Sequence, residues 1–181
     1  MTKIAVFVGS LREKSYNKSL AKALESVKPE GMEFIYIDIA MPLYSEDSEN
    51  AGMPKEVLEA KETVKTADGV LLVTPEYNRS IPGVMKNAID WVSRPYGQTS
   101  FYRKPVGIVG ASVTPSGTAS AQGDLRRVML FQDAKVLGQP EVYVALAGEV
   151  FDSEGSVISD RWMKNFREYM ETFGAWVEQE K

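Results

Sequence analysis

Gly69-Val70-Leu71-Leu72-Val73-Thr74-Pro75-Glu76-Tyr77-Asn78-Arg79-Ser80-Ile81-Pro82-Gly83 is the stretch that decides the fold. It opens on an almost wholly apolar run, Gly69 to Val73, with turn formers directly after it. Such a run predicts a strand buried on both faces. Past the polar segment, Pro82-Gly83-Val84-Met85-Lys86-Asn87-Ala88-Ile89-Asp90-Trp91 places apolar residues at helical spacing. Ser80 is positioned to cap that helix, and Pro82 suits its first turn, where a missing N–H costs nothing. The segment therefore reads strand, polar loop, helix. In an open α/β sheet, loops at the carboxyl ends of strands are where ligands bind. A plain connector would not need two prolines plus the carboxylate, phenol and amide of Glu76, Tyr77 and Asn78, so this loop is a candidate site.

The same alternation extends in both directions. Lys3 to Val8 reads as a first strand, followed by a polar loop from Gly9 and a helix to about Lys28 that Asn17 or Ser15 caps. Met32 to Ile39 reads as a second strand, 40–52 as an irregular loop, and Pro54 to about Ala67 as a helix. Pro105 to Gly110 is a fourth buried strand, followed by the polar loop Ala111 to Thr118 and a helix over roughly Ala119 to Leu137. Glu141 to Leu146 is a fifth strand, and Asp160 caps a last helix. The stripe of that helix, Trp162, Phe166, Tyr169, Met170, Phe173 and Val177, points to core or a subunit contact. Five strands alternating with helices predict an α/β parallel sheet with helices on both faces, a flavodoxin-like three-layer sandwich of order 2-1-3-4-5. In that order the polar loops after strands one, three and four converge at one end of the sheet.

The chain has 181 residues, the size of one domain spanning 1–181. Its charge of −4, from 21 basic and 25 acidic residues, argues against a nucleic-acid partner. No apolar run approaches the roughly eighteen residues of a membrane span. The short apolar start lacks the length and cleavage site of a secretory signal, so the cytoplasm is the expected location. Cysteine and histidine are both absent. That removes thiolate nucleophiles, Ser-His triads and most zinc or non-haem iron sites, and suggests that any chemistry resides on an organic cofactor.

Gly9-Ser10-Leu11-Arg12-Glu13-Lys14-Ser15-Tyr16-Asn17 precedes a helix start, where free N–H groups and the positive dipole end favour an anion. Ser10, Ser15 and Asn17 can donate to phosphate oxygens, and Arg12 adds a charged fork. Neither G-x-x-x-x-G-K-[ST] nor G-x-G-x-x-G is present, so a monophosphate fits better than a pyrophosphate.

With both loops in view, the chain resembles a known family. G-S-L-R-x-x-S-x-N after the first strand and P-E-Y-N-x-S-x-P-G-x-x-K-N-A-I-D-W, from Pro75 to Trp91, are similar to the NADPH-dependent FMN reductase family, which includes quinone, chromate and azo-dye reductases. The loop Gly110 to Gly117 is similar to the family's third loop, more loosely. The resemblance implies that Ser10, Arg12, Ser15, Tyr16 and Asn17 hold the phosphate end of FMN. It also implies that Pro75, Glu76, Tyr77 and Asn78 wrap the isoalloxazine, largely through backbone groups, with Ser112 near its other edge. A homodimer or homotetramer is implied too, with 82–93 and 96–102 as candidate contacts.

The reaction so implied is ping-pong: NADPH or NADH gives a hydride to FMN, then leaves, and a small electron acceptor such as a quinone, flavin, azo compound or chromate takes its place. No residue is expected to act as acid or base, so no catalytic side chain is assigned. The competing readings are a flavodoxin-type electron carrier without a substrate pocket, and a nucleotide-binding domain without redox work. Arg12, Arg79, Arg94 and Arg103 suit a nucleotide donor better than the carrier reading does.

Overall fold

The apolar runs take up adjacent places in one sheet. The computed structural model describes all 181 residues. Strands β1 (Thr2–Val8), β2 (Met32–Tyr36), β3 (Gly69–Val73) and β4 (Pro105–Ala111) pair in parallel in the order β2-β1-β3-β4. Every residue of β3 and β4 is buried, as aliphatic runs between two helical layers require. The register levels the strand ends: Val8 lies opposite Val73, and Val73 opposite Val109. The loops after β1, β3 and β4 therefore start side by side.

Helices α1 (Tyr16–Ser26) and α6 (Asp160–Glu180) cover one face of the sheet, and α3 (Lys55–Thr66), α4 (Gly83–Val92) and α5 (Ala119–Phe131) the other. Phe166, Tyr169, Met170, Phe173 and Val177 of the α6 stripe are core, and Trp162 packs against it from the edge.

Five expectations need correction. The helix expected to reach Leu137 stops at Phe131, and Asp133 turns left-handed at φ 53°. The chain then forms β5 (Lys135–Val136), and the expected fifth strand shortens to β6 (Val142–Val144). Both short strands pair with the outer edge of β4, so two pieces fill the fifth position and the strands number six. A short helix, α2 (Glu46–Ala51), forms within the expected irregular loop, capped by the Ser45 hydroxyl. Ser159, rather than Asp160, caps α6 by accepting from the Trp162 N–H. Ser80 does not cap α4; its hydroxyl donates to Asp124 at 2.5 Å, and Pro82 holds the cap position. No helix is long and apolar enough to cross a membrane.

Candidate cofactor site

The loop from Gly9 to Ser15 turns the chain from β1 into α1. Ser15 caps α1, accepting from the Asn17 N–H at 3.2 Å. The main-chain N–H groups of Leu11 through Tyr16 donate to no other group of the chain. They lie at the positive end of an eleven-residue helix, a ready anion site. Ser10 and Ser15 are buried beside them, while Arg12 is exposed. A groove of about 820 Å³ runs past Ser10, Arg12, Ser15 and Tyr16 toward Asp38 and Gly155. Tyr16 is half-buried along this groove, its ring 6.2 Å from that of Phe151.

Asn17 is placed differently from its neighbours. Its amide donates to the Ala111 carbonyl and accepts from the Ala111 N–H, both at 2.9 Å. Both ends of the side chain are thereby occupied, and it ties α1 to the end of β4 instead of facing the loop.

The loop after β3 is a tight turn. Tyr77 and Ser80 exchange main-chain hydrogen bonds of 3.1 and 3.0 Å across Asn78 (φ 51°) and Arg79 (φ 63°). Positive φ at both central residues is the signature of a type I′ turn. The N–H groups of Glu76, Asn78 and Arg79 have no partner within the chain. The Glu76 carboxylate accepts from the N–H groups of Ser120 (2.9 Å) and Ala121 (3.1 Å), in the first turn of α5, and its other oxygen lies 3.8 Å from the Arg79 guanidinium. Pro75 is buried, and a Cβ at Gly9 would lie 3.1 Å from its ring, so glycine there brings the first and third loops together. Tyr77 is 48% exposed.

The third loop closes the arrangement. Ser112, Thr114 and Ser116 form a hydroxyl chain with 3.1 Å links, and Arg79 donates to Ser116 at 3.2 Å. Ser112 also donates through its N–H to Val144 and accepts from the Ala147 N–H. A Cβ at Gly110 would collide with the Thr74 carbonyl and the Thr118 hydroxyl, so the third and fourth strand ends meet only over a glycine.

Comparison with known proteins decides between the readings of these three loops. The sequence profile of the NADPH-dependent FMN reductases matches residues 2–149. The chain belongs to that family. It is 46% identical over 176 residues to a 2-hydroxy-1,4-benzoquinone reductase of Burkholderia sp, covering 97% of this chain and 96% of the relative. It is 38% identical over 175 residues to a quinone reductase of Pseudomonas putida, covering 96% and 94%. The solved structure of FerB, a flavoenzyme NAD(P)H:(acceptor) oxidoreductase of Paracoccus denitrificans, superposes with a TM-score of 0.92 at 38% identity over 99% of each chain. Membership in the NADPH-dependent FMN reductases makes the chain an oxidoreductase working with FMN and a nicotinamide nucleotide, and the electron-carrier reading falls.

The residues present fit FMN. Unpaired N–H groups and two hydroxyls suit a phosphate at the start of α1. Unpaired N–H groups on the second loop suit the polar edge of a ring. Sequence reasoning missed three ties in this FMN reductase: Glu76 to α5, Arg79 to Ser116, and Asn17 to Ala111. It also missed what the K-N-A-I-D-W segment does. The Asn87 amide donates to Met41 and Pro42 carbonyls and accepts from the Tyr44 N–H, while the Trp91 indole donates to Pro42 at 2.7 Å. These contacts pin the loop after β2 onto α4. The available signal was an asparagine four residues before a tryptophan on an otherwise apolar helix face.

Proposed function

We propose that this chain oxidises NADPH or NADH and passes the electrons to a small acceptor of the quinone class, with FMN bound across its three loops. Bound FMN supplies the chemistry by accepting a hydride from the nicotinamide and giving up its electrons to the acceptor. The single observation that carries the reading is the run of unpaired N–H groups from Leu11 to Tyr16 at the start of α1, in a chain of this family. In this reading Ser10, Arg12, Ser15 and Tyr16 hold the phosphate end, and the main chain of Pro75, Glu76, Tyr77 and Asn78 orients the ring. Ser112 knots the third loop at the ring's far edge, and Asn17 keeps α1 and β4 at the distance this geometry requires. The quinone class is taken from the relatives, one of which is named for 2-hydroxy-1,4-benzoquinone.

We also infer assembly into two or four copies. Tyr96 (80% exposed), Tyr102 (57%) and Phe131 (75%) line one groove of about 570 Å³ between the end of α4 and α5, with exposed Leu130 beside Phe131. A cytoplasmic location suits a reaction that draws on NAD(P)H, and a single domain over 1–181 accounts for two cores sharing one sheet.

The purified protein should be yellow, release FMN on heating, and oxidise NADPH or NADH steadily only when a quinone is supplied. Recovery of mainly FAD, or no quinone-dependent oxidation of either donor, overturns the reading. Arg12 adds a charged partner, and hydrogen bonds to charged groups contribute about 1.5–3 kcal/mol. Arg12→Ala should therefore weaken FMN binding by roughly tenfold to a hundredfold, as measured by flavin fluorescence titration. Unchanged affinity would remove Arg12 from the site.

A further inference from the structure

Leu146 adopts the left-handed conformation, with φ 48° and ψ 49°. That is uncommon for any residue but glycine and an outlier for a bulky one. Neighbouring hydrogen bonds hold it there: its N–H donates to the Thr114 carbonyl at 3.4 Å, and its carbonyl accepts from Glu149 at 2.7 Å. The next residue, Ala147, donates to the Ser112 carbonyl at 3.0 Å. The strain is thus imposed by the third loop of the cofactor site. Glycine would take this backbone without strain. Leucine is there instead, with 39% of its surface exposed, so burial in the core does not explain it. Strained positions that the surrounding structure over-determines concentrate at ligand sites.

Two further apolar side chains are exposed on the loops joined to Leu146. Val113 is 62% exposed in the third loop. Tyr77 is 48% exposed in the second, two residues before Arg79, whose guanidinium bonds Ser116 of the third. The third loop thus hydrogen-bonds to both of the others, and each of the three carries an exposed apolar group.

We propose that Leu146, together with Val113 and Tyr77, forms an apolar rim that receives the acceptor and favours an uncharged, planar aromatic over an oxyanion such as chromate. This rests on the quinone-class reading given above. The overall step balances as NAD(P)H plus H⁺ plus quinone giving NAD(P)⁺ plus hydroquinone, and the rim contributes only contact with the quinone's apolar face. An oxyanion gains nothing from that contact and loses hydration.

Leu146→Gly in the flavin-loaded enzyme tests the assignment. Removing one leucine side chain from an apolar contact should lower the quinone-to-chromate ratio of kcat/KM by about tenfold, with 1,4-naphthoquinone as the quinone. FMN affinity, followed by flavin fluorescence titration, should not move with it. The melting temperature of the flavin-free protein should rise or hold, because strain is relieved and no core contact is lost. An unchanged ratio overturns the proposal, as does a loss of FMN affinity large enough to account for the change. A fall in melting temperature assigns Leu146 to structure, and a smaller particle mass with an unchanged ratio assigns it to a subunit contact. A wild-type enzyme that oxidises NADPH with neither acceptor overturns the parent reading instead, so the two failures are distinct.

Discussion

The Asn17 amide and the Ala111 main chain form a closed pair of hydrogen bonds, each 2.9 Å, in a buried position. Asn17→Asp keeps the shape but turns the donor into an acceptor facing the Ala111 carbonyl. A buried acceptor left unpaired costs about 1–3 kcal/mol, and a buried charge costs more. The variant should lose roughly 2–4 kcal/mol in urea unfolding of the flavin-free protein. The deficit should also shrink as pH falls, because a protonated carboxyl can donate to Ala111 again. The sign follows from burial: it raises the folded-state pKa of the new carboxyl, so the penalty is present above that pKa and fades toward about pH 4. A deficit that stays constant with pH would mean the carboxylate had turned out to solvent. At this scale the sequence told residue type but not partner. A polar residue two positions into a helix start can serve an anion or a distant strand equally well, and Ala111 lies ninety-four positions away.

Two helices receive their terminal charges from elsewhere in the chain. The Glu76 carboxylate, whose side chain is only 7% exposed, serves the first turn of α5. Glu76→Gln keeps one acceptor oxygen and removes the charge facing the helix dipole, so it should cost about 1 kcal/mol, up to about 2 in a partly buried setting. Glu76→Ala also leaves the Ser120 and Ala121 N–H groups without their acceptor and should cost more. Thermal unfolding of the flavin-free forms ranks the two; equal losses would mean that the charge contributes nothing. At the C-terminus of α3, the Lys104 ammonium donates to the Lys65 carbonyl at 2.8 Å and to the Ala67 carbonyl, and burial holds its pKa below the ordinary lysine value. Elements were legible where burial acts on both faces, as in β3 and β4. The end of α5 was not. Val128 to Phe131 continue an apolar run that propensity extends, but the outer edge of β4 needs partners for its main chain, and 135–136 and 142–144 provide them.

At the scale of the molecule, the alternation of strands and helices was enough to give the order of the sheet, because a right-handed parallel crossover leaves few other topologies. The level ends of β1, β3 and β4 then bring three loops to one place. What the sequence could not show was how those loops are tied, since Arg79 to Ser116 and Glu76 to Ser120 are contacts between residues 37 and 44 positions apart. The placement of the anion site at one end and of unpaired loop N–H groups at the other makes a global prediction. Ligand that binds only the folded chain adds about 2.7 kcal/mol at one hundred times its dissociation constant. For a chain of this length that is a rise of about 5–11 °C in melting temperature. FMN at that ratio should give such a shift in the flavin-free protein. Riboflavin carries the same ring without the phosphate, so it loses the charge-assisted hydrogen bonds at the start of α1, each contributing about 1.5–3 kcal/mol. At the same concentration it should shift the melting temperature by no more than about 1–2 °C. The FMN shift should also diminish with salt, because part of the phosphate's attraction is screened, while the small riboflavin shift should not. If riboflavin stabilises as well as FMN does, the ring alone holds the cofactor, and the N–H groups from Leu11 to Tyr16 serve some other anion.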